Sequence, residues 1–263
     1  MDVITSRTNP TVRLVRSLTT RRAVRYRERL FVAEGLRAVT SLLDHGSQLP
    51  ILLIDADRHD EVPETLLAAA DAAEARMMNV SSDVFQYLSD VEAPQPVIGV
   101  FSMARQEIPP SPRVVVALDG IQDPGNLGSI LRTCRAAGVD AILMLRGTVD
   151  PYNPKVVRAT AGLFGDIPMI PVSTIDQMVS EFPELPGRIV VADSTADTFH
   201  TDFDWRVPFV LVLGGEASGV SQNWHASNAH GVRIDMEPGV ESLNVSAAAA
   251  ILLFEARRQC IQA

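Results

Sequence analysis

The sequence holds only two cysteines, Cys134 and Cys260, too few for a disulfide framework or a cysteine-based zinc cluster. It has no run of 18 apolar residues, so nothing in it reads as a membrane-spanning helix. Its opening, Met1 to Arg7, has no apolar core of the kind that marks a secretory signal. Lysine is nearly missing, Lys155 being the single one. The histidines (His45, His59, His200, His225 and His230) show no metal-ligand spacing. Neither H-E-x-x-H nor G-x-S-x-G occurs, which removes the residues that metallohydrolase and serine-hydrolase chemistry require. These absences leave a reduced, cytoplasmic, globular protein without a membrane or a metal as the expectation.

What is present is ordinary in bulk and uneven in detail. The chain has 263 residues, 46% of them hydrophobic, enough for a sizeable core and about two domains. The net formal charge is −9, yet the first 37 residues carry nine arginines against Asp2, Glu28 and Glu34. That opening segment therefore stands at +6 and the remainder at −15. A basic segment on an acidic body is either a salt-bridged helical face or a local contact for a polyanion. Arginine's planar fork suits the second, since it binds phosphate and stacks on bases, but the near-absence of lysine also raises the arginine count, and on this segment alone the salt-bridged face stands ahead.

Periodicity divides the chain in two. Residues 11–44 read as two helices. Short apolar runs at 51–54 and 97–101, with helical stretches at 66–75 and 84–88 between them, complete a small α/β domain over 1–105. Residues 106–113 carry Pro109, Pro110 and Pro112 with no apolar period, the composition of a linker. From 114 to 263 a more regular alternation begins. Strand candidates lie at 114–118, 141–145, 167–172, 189–192, 209–213 and 232–234, and helix candidates at 126–137, 154–163 and 243–258. Unbroken β-branched and apolar runs of this kind suit strands buried on both faces of a parallel sheet.

Ligands of open α/β sheets bind beyond the carboxyl ends of strands, and three loops occupy that position. In the first, Leu118 runs through Gly120 and Asn126-Leu127-Gly128 into a helix bearing Arg132-Thr133, with Asp123 or Asn126 placed to cap it. The second is Gly214-Gly215-Glu216-Ala217-Ser218-Gly219-Val220. Its glycines have phosphate-loop spacing, but Val220 stands where the lysine belongs, and G-x-G-x-x-G is absent. A glutamate there would repel a pyrophosphate and suits a donor-rich or cationic ligand. The third runs from Ile234-Asp235-Met236 to Ser242-Leu243-Asn244-Val245-Ser246, where Ser242 or Asn244 caps a helix with four successive alanines, 247–250. Each loop alone also admits a plain turn-and-cap reading.

Together, in this order, the three loops resemble the motifs of the SpoU (TrmH-like) RNA ribose 2′-O-methyltransferases of the SPOUT superfamily. Ala217 and Asp235 depart from the usual glycine and proline. The start, Ser6-Arg7-x-Asn9-Pro10 through Phe31-x-x-Glu34-Gly35, is similar to the small substrate domain that many members carry. The resemblance implies an α/β fold with a C-terminal trefoil-knotted SPOUT domain over 114–263 and an N-terminal L30e-like RNA-binding domain over 1–105. It implies a homodimer with each active site near the subunit boundary. It further implies S-adenosylmethionine held at Gly214, Gly215, Gly219, Ile234, Met236, Ser242 and Leu243, with Arg132, Asn126, Glu216 and Asn244 as the catalytic group. The expected reaction is methylation of a ribose 2′-hydroxyl in structured RNA, ribosomal RNA ahead of transfer RNA. The alternative is a non-catalytic RNA-binding protein on the same fold. Arg7, Arg13, Arg21, Arg22, Arg25 and Arg29 are the expected phosphate contacts.

Overall fold

The structure is a computed structural model that describes residues 3–103, 107–160, 162–163, 167–174, 177–178, 182–183, 185–215, 219–221, 224 and 229–261. It divides into two compact units, Met1–Arg105 with Asp150–Gly165, and Gln106–Val149 with Asp166–Ala263.

In the first unit, α1 (Pro10–Thr20) starts where the Asn9 side chain accepts the Thr11 N–H and Pro10 fills the first turn. Helix α2 (Arg22–Glu28) ends at Arg29, whose φ of 54° is left-handed and stops the helix. There follow β1 (Leu30–Glu34), α3 (Leu36–Asp44), β2 (Ile51–Asp55), a 3-10 turn at Ala56–Glu61, α4 (Glu64–Ala72), β3 (Arg76–Val80), α5 (Ser82–Leu88) and β4 (Val97–Ser102). The sheet order is β1-β4-β2-β3, with β4 antiparallel to both neighbours and β3 parallel to β2. Val12, Val15 and Leu18 of α1 pack with Val84, Phe85 and Leu88 of α5 over Val32, Leu53, Ile98 and Val100 of the sheet. The two-helix reading of 11–44 therefore missed a strand. Phe31-Val32-Ala33 is too short to show a period, and its burial comes from pairing with β4, nearly seventy residues away in sequence.

The second unit opens with β5 (Val114–Asp119), α6 (Pro124–Ala137) and β6 (Ala141–Leu145). Leu127, Ile130, Leu131 and Cys134 are the buried stripe of α6. Burial pushes the Cys134 thiol up to about 12, so it packs as a small hydrophobe. The chain then returns to the first unit through α7 (Pro154–Ala159), a shorter helix than the sequence implies. The expected domain over 114–263 thus has residues 150–165 contributed elsewhere. The reason lies in specific contacts: Asp150 pairs with Arg25, Tyr152 packs against Phe31, and the Ser41 hydroxyl bonds to the Gly162 carbonyl.

Back in the second unit come β7 (Met169–Val172), β8 (Ile189–Ala192), β9 (Thr198–Phe199), β10 (Phe209–Gly214), β11 (His230–Arg233) and α8 (Val245–Ile261). The sheet order is β7-β6-β5-β10-β8-β11-β9, and every pairing in it is parallel. Val115, Ala117, Leu143, Val210, Val212 and Trp224 are among its fully buried core residues. The order runs one way from β5 to β7 and the other way from β10 outward, so the carboxyl ends of β10, β8 and β11 meet beside the point of reversal, where such sheets bind ligands. Among the described residues no helix is long and apolar enough to cross a membrane.

Candidate active site

The end of β10 is crowded by backbone. The Gly215 N–H donates to the Asp119 carbonyl at 2.9 Å, and the Gly219 N–H donates to the Gly215 carbonyl at 2.9 Å. A Cβ at Gly214 would press into the Gly219 carbonyl carbon and the Val220 nitrogen, and one at Gly215 into the Gly120 carbonyl oxygen. Both positions require glycine for space.

This closed turn forms one wall of a cavity of about 530 Å3. All seven residues expected to hold a cofactor line it: Gly214, Gly215, Gly219, Ile234, Met236, Ser242 and Leu243. Asn244 lines it as well, and so does Ala248 of the four alanines, while Ala249 is fully buried behind. Three further wall residues were not anticipated. Ala192 ends β8 and Asp193 and Ser194 follow it; β8 lies between β10 and β11 in the sheet although it precedes both in sequence. The strand-end rule, applied to β8 as it was to β5 and β10, would have found them.

Asn126 and Asn244 are joined, the Asn244 Nδ2 donating to the Asn126 Oδ1 at 2.9 Å. The Asn244 Oδ1 accepts from the Ser246 N–H at 2.9 Å and from its hydroxyl at 2.6 Å, which makes Asn244 the cap of α8 and fixes which way its amide faces. Asp123, and not Asn126, caps α6 by accepting the Asn126 N–H at 2.8 Å. The first and third loops are therefore tied together at the mouth of the helices they begin. Arg132 lies on α6, exposed, with no ion pair or hydrogen bond of its side chain among the described residues, and it is absent from the cavity wall. Glu216 and Ala217 lie outside the described residues.

A positioning contact that the sequence did not disclose closes the second loop. The Asp119 Oδ2 accepts from the Ser221 N–H and from the Trp224 Nε1, each at 3.0 Å. With the Gly215 bond to its carbonyl, Asp119 holds the loop at both ends.

Of the arginines in the first unit, Arg7, Arg13, Arg21, Arg22 and Arg29 are exposed. The Arg7 and Arg16 guanidinium carbons lie 4.9 and 5.0 Å from the Tyr87 ring centre, and that of Arg22 lies 5.3 Å from Tyr26. Arg25 corrects the expectation. Its side chain is 4% exposed, its Nε donates to the Asp150 Oδ2 at 2.9 Å, and its Nη1 donates to the Leu18 carbonyl at 2.7 Å. The apolar spacing of α1 and α2 leaves this one arginine facing inward, where it serves as a buried ion pair and offers no face to a phosphate. The Tyr26 hydroxyl donates to the same carboxylate, and burial together with that charge pushes it up to about 12.

The chain is similar to known proteins over most of its length. The SpoU rRNA methylase family profile matches residues 113–254, and that of the MRM3-like substrate binding domain matches residues 9–99. A 23S rRNA (guanosine-2'-O-)-methyltransferase of Bordetella pertussis is 31% identical over 87% of this chain and 97% of its own. An AdoMet-bound rRNA methyltransferase from Sinorhizobium meliloti superposes with a TM-score of 0.83 at 32% identity, covering 98% of this chain and 97% of that one. The SpoU methyltransferase AviRb from Streptomyces viridochromogenes, in complex with the cofactor AdoMet, gives a TM-score of 0.84 at 28% identity, covering 96% and 98%.

Proposed function

Because the chain belongs to the SpoU rRNA methylase family, we propose that it methylates a ribose 2′-hydroxyl of ribosomal RNA with S-adenosylmethionine as donor. The observation that carries this reading is the single cavity wall into which all seven expected cofactor residues fall. The named relatives are methyltransferases, which favours catalysis over a silent RNA-binding role. The test is transfer of labelled methyl groups from S-adenosylmethionine to 23S ribosomal RNA, followed by digestion. A labelled 2′-O-methylnucleoside supports the proposal, and a labelled base or no product contradicts it.

The residues fit the cofactor. Leu213, Ile234, Leu243 and Leu252 give apolar sides to the cavity, the glycine backbones admit close approach, and the Asp193 carboxylate lies in the wall for a donor or a cation. Bound S-adenosylmethionine supplies an electrophilic methyl carbon on a sulfonium, so the protein's part is orientation and charge. A guanidinium offers hydrogen-bond donors and no acceptor, so Arg132 is not assigned the role of base. It acts as a fixed cation that holds the target phosphate and stabilises the developing alkoxide. The hydroxyl proton leaves to phosphate or water. Asn126 and Asn244 hold the two loops in register, and Glu216 orients the arginine or accepts from the cofactor. The trefoil knot belongs to the same proposal. Crowding at Gly214 sets its first expected outcome. Gly214→Ala weakens S-adenosylmethionine binding at least about tenfold, about 1.4 kcal/mol, by calorimetric titration.

Since Arg132 is exposed and outside the cavity wall, the complete site calls for a neighbouring surface, which a homodimer supplies at the subunit boundary. Ile251, Phe254 and Ile261 support this as an exposed apolar stripe along α8, Phe254 being 48% and Ile261 70% exposed. Phe254→Asp is expected to shift the protein to monomer in sedimentation. The exposed arginines of the first unit serve as phosphate contacts. Neutralising Arg13, Arg21 and Arg22 together lowers the slope of log K against log salt for RNA binding by about two to three; an unchanged slope returns them to a solvated face. A cytoplasmic location, expected from the sequence, is part of the same proposal.

A further inference from the structure

A second cavity, about 330 Å3 and wholly within the first unit, has no part in the scheme above. Its wall brings together residues distant in sequence: Glu34 and Gly35 at the end of β1, Arg37 on α3, Gln95 before β4 and Arg158 on α7. The volume is in the range that small ligands occupy, and the polar groups converge on it with capacity to spare. The Glu34 Oε1 accepts the Ser89 hydroxyl at 2.7 Å, and the carboxylate also accepts the Asp90 backbone N–H; two oxygens have acceptor sites for about four hydrogen bonds, so room for a ligand's donors is left. Burial raises the Glu34 carboxyl above the usual range, against the Ser89 hydrogen bond and the Arg158 charge, which lower it. The Gln95 Oε1 accepts the Leu36 N–H at 2.8 Å, so its NH2 is the end left to donate. Gly35, with φ of 102°, leaves the space that the Gln95 amide oxygen occupies. Arg37 and Arg158 make no ion pair or hydrogen bond among the described residues, although both line a cavity that also contains a carboxylate.

Two guanidinium groups without a hydrogen bond among the described residues, one of them near enough to act on the Glu34 charge, beside a carboxylate and a carboxamide donor form an unusual lining. Cations alone would describe an anion site, and a carboxylate would weaken it. A nucleotide reconciles them, because it presents phosphate at one end and hydrogen-bond donors at the other. Guanine is the base whose Watson–Crick edge carries two adjacent donors, N1–H and the 2-amino group, matching the two oxygens of a carboxylate, with O6 beside them to accept. Adenine would set the lone pair of its N1 against the carboxylate.

We propose that this cavity holds one unstacked guanine nucleotide of the RNA substrate, Glu34 and Gln95 reading its edge and Arg37 and Arg158 meeting its phosphates. Recognition of splayed single-stranded bases on their Watson–Crick edges is how RNA sequence is commonly read. The pocket deepens the function proposed above and rests on it. It assigns a specificity contact to a unit whose other arginines bind backbone without regard to sequence.

The test is calorimetric titration of the full chain with 5′-GMP, 5′-AMP and inorganic phosphate, with S-adenosylmethionine saturating so that the larger cavity is filled. GMP is expected to bind at least tenfold more tightly than AMP. Glu34→Gln, close in shape, abolishes that preference, and Arg158→Gln weakens both nucleotides. Arg37→Gln, at an exposed position, repeats the second result should the Arg158 variant fail to fold. Equal affinity for GMP and phosphate, or an unchanged GMP-to-AMP ratio in Glu34→Gln, overturns the proposal. Methylation of ribosomal RNA without GMP binding refutes the pocket alone. GMP binding without methyl transfer to any ribosomal RNA leaves the pocket standing and refutes the enzymatic reading.

Discussion

Arg132→Ala lowers the rate of methyl transfer by about 10^3-fold, the scale of losing a fixed charge at a developing oxyanion, and leaves S-adenosylmethionine affinity within about twofold. The two halves of this result come from different observations. Arg132 is outside the cavity wall, so its removal takes no contact from the cofactor. It is exposed and carries a guanidinium charge, so what the substitution removes is a cation at the surface a phosphate would meet. Arg132→Lys sharpens the point. Lysine restores a cation but not the planar fork that grips a phosphate at two points, so this variant recovers part of the rate and little of the RNA affinity. Single-turnover rates set beside calorimetric titrations separate these effects. Wild-type turnover in Arg132→Ala would remove Arg132 from the mechanism.

Arg25→Ala unfolds the first unit more readily by about 3–5 kcal/mol, because it strands the Asp150 carboxylate in the interior. Asp150 accepts the Tyr26 hydroxyl and the Tyr152 N–H, each at 3.1 Å, as well as the guanidinium, so all of its capacity is turned inward. Thermal denaturation of the variant shows a midpoint lower by about 10 °C. The double change Arg25→Met with Asp150→Leu costs less than either residue's loss alone, since neither charge is then left unpaired. A surface arginine would behave in the opposite way, with little change in stability and a lower salt slope in RNA binding. If Arg25→Ala leaves the melting midpoint unmoved, the buried pair does not hold residues 150–165 to the first unit.

The difference between Arg25 and its neighbours shows where sequence reading stops. Charge density identified a basic segment, but a count of arginines carries no information about which one turns inward, and that is decided by Asp150, 125 residues away. Strands β5, β6, β8 and β10 were legible because each is a short apolar run bounded by turn residues and buried on both faces. Strand β1 was not, because three buried residues between helices show no period of their own. The glycine and asparagine loops pointed to Gly214, Ile234 and Leu243, which the structure brings to one cavity wall. They could not show that Asp119 and Trp224 hold the middle loop closed, since an aspartate ending a strand is also a common turn residue. Nor could spacing within α6 reveal that Arg132 is absent from the wall on which Asn244 lies.

The account depends on three separated turns converging on one donor site. A crystal structure of the protein with S-adenosylmethionine tests this most directly. The cofactor is predicted to lie in the cavity bounded by Gly214, Ile234 and Leu243, with the Asn126–Asn244 contact intact beside it. Density for the cofactor anywhere else on the protein, or those turns parted around an empty cavity, would contradict it.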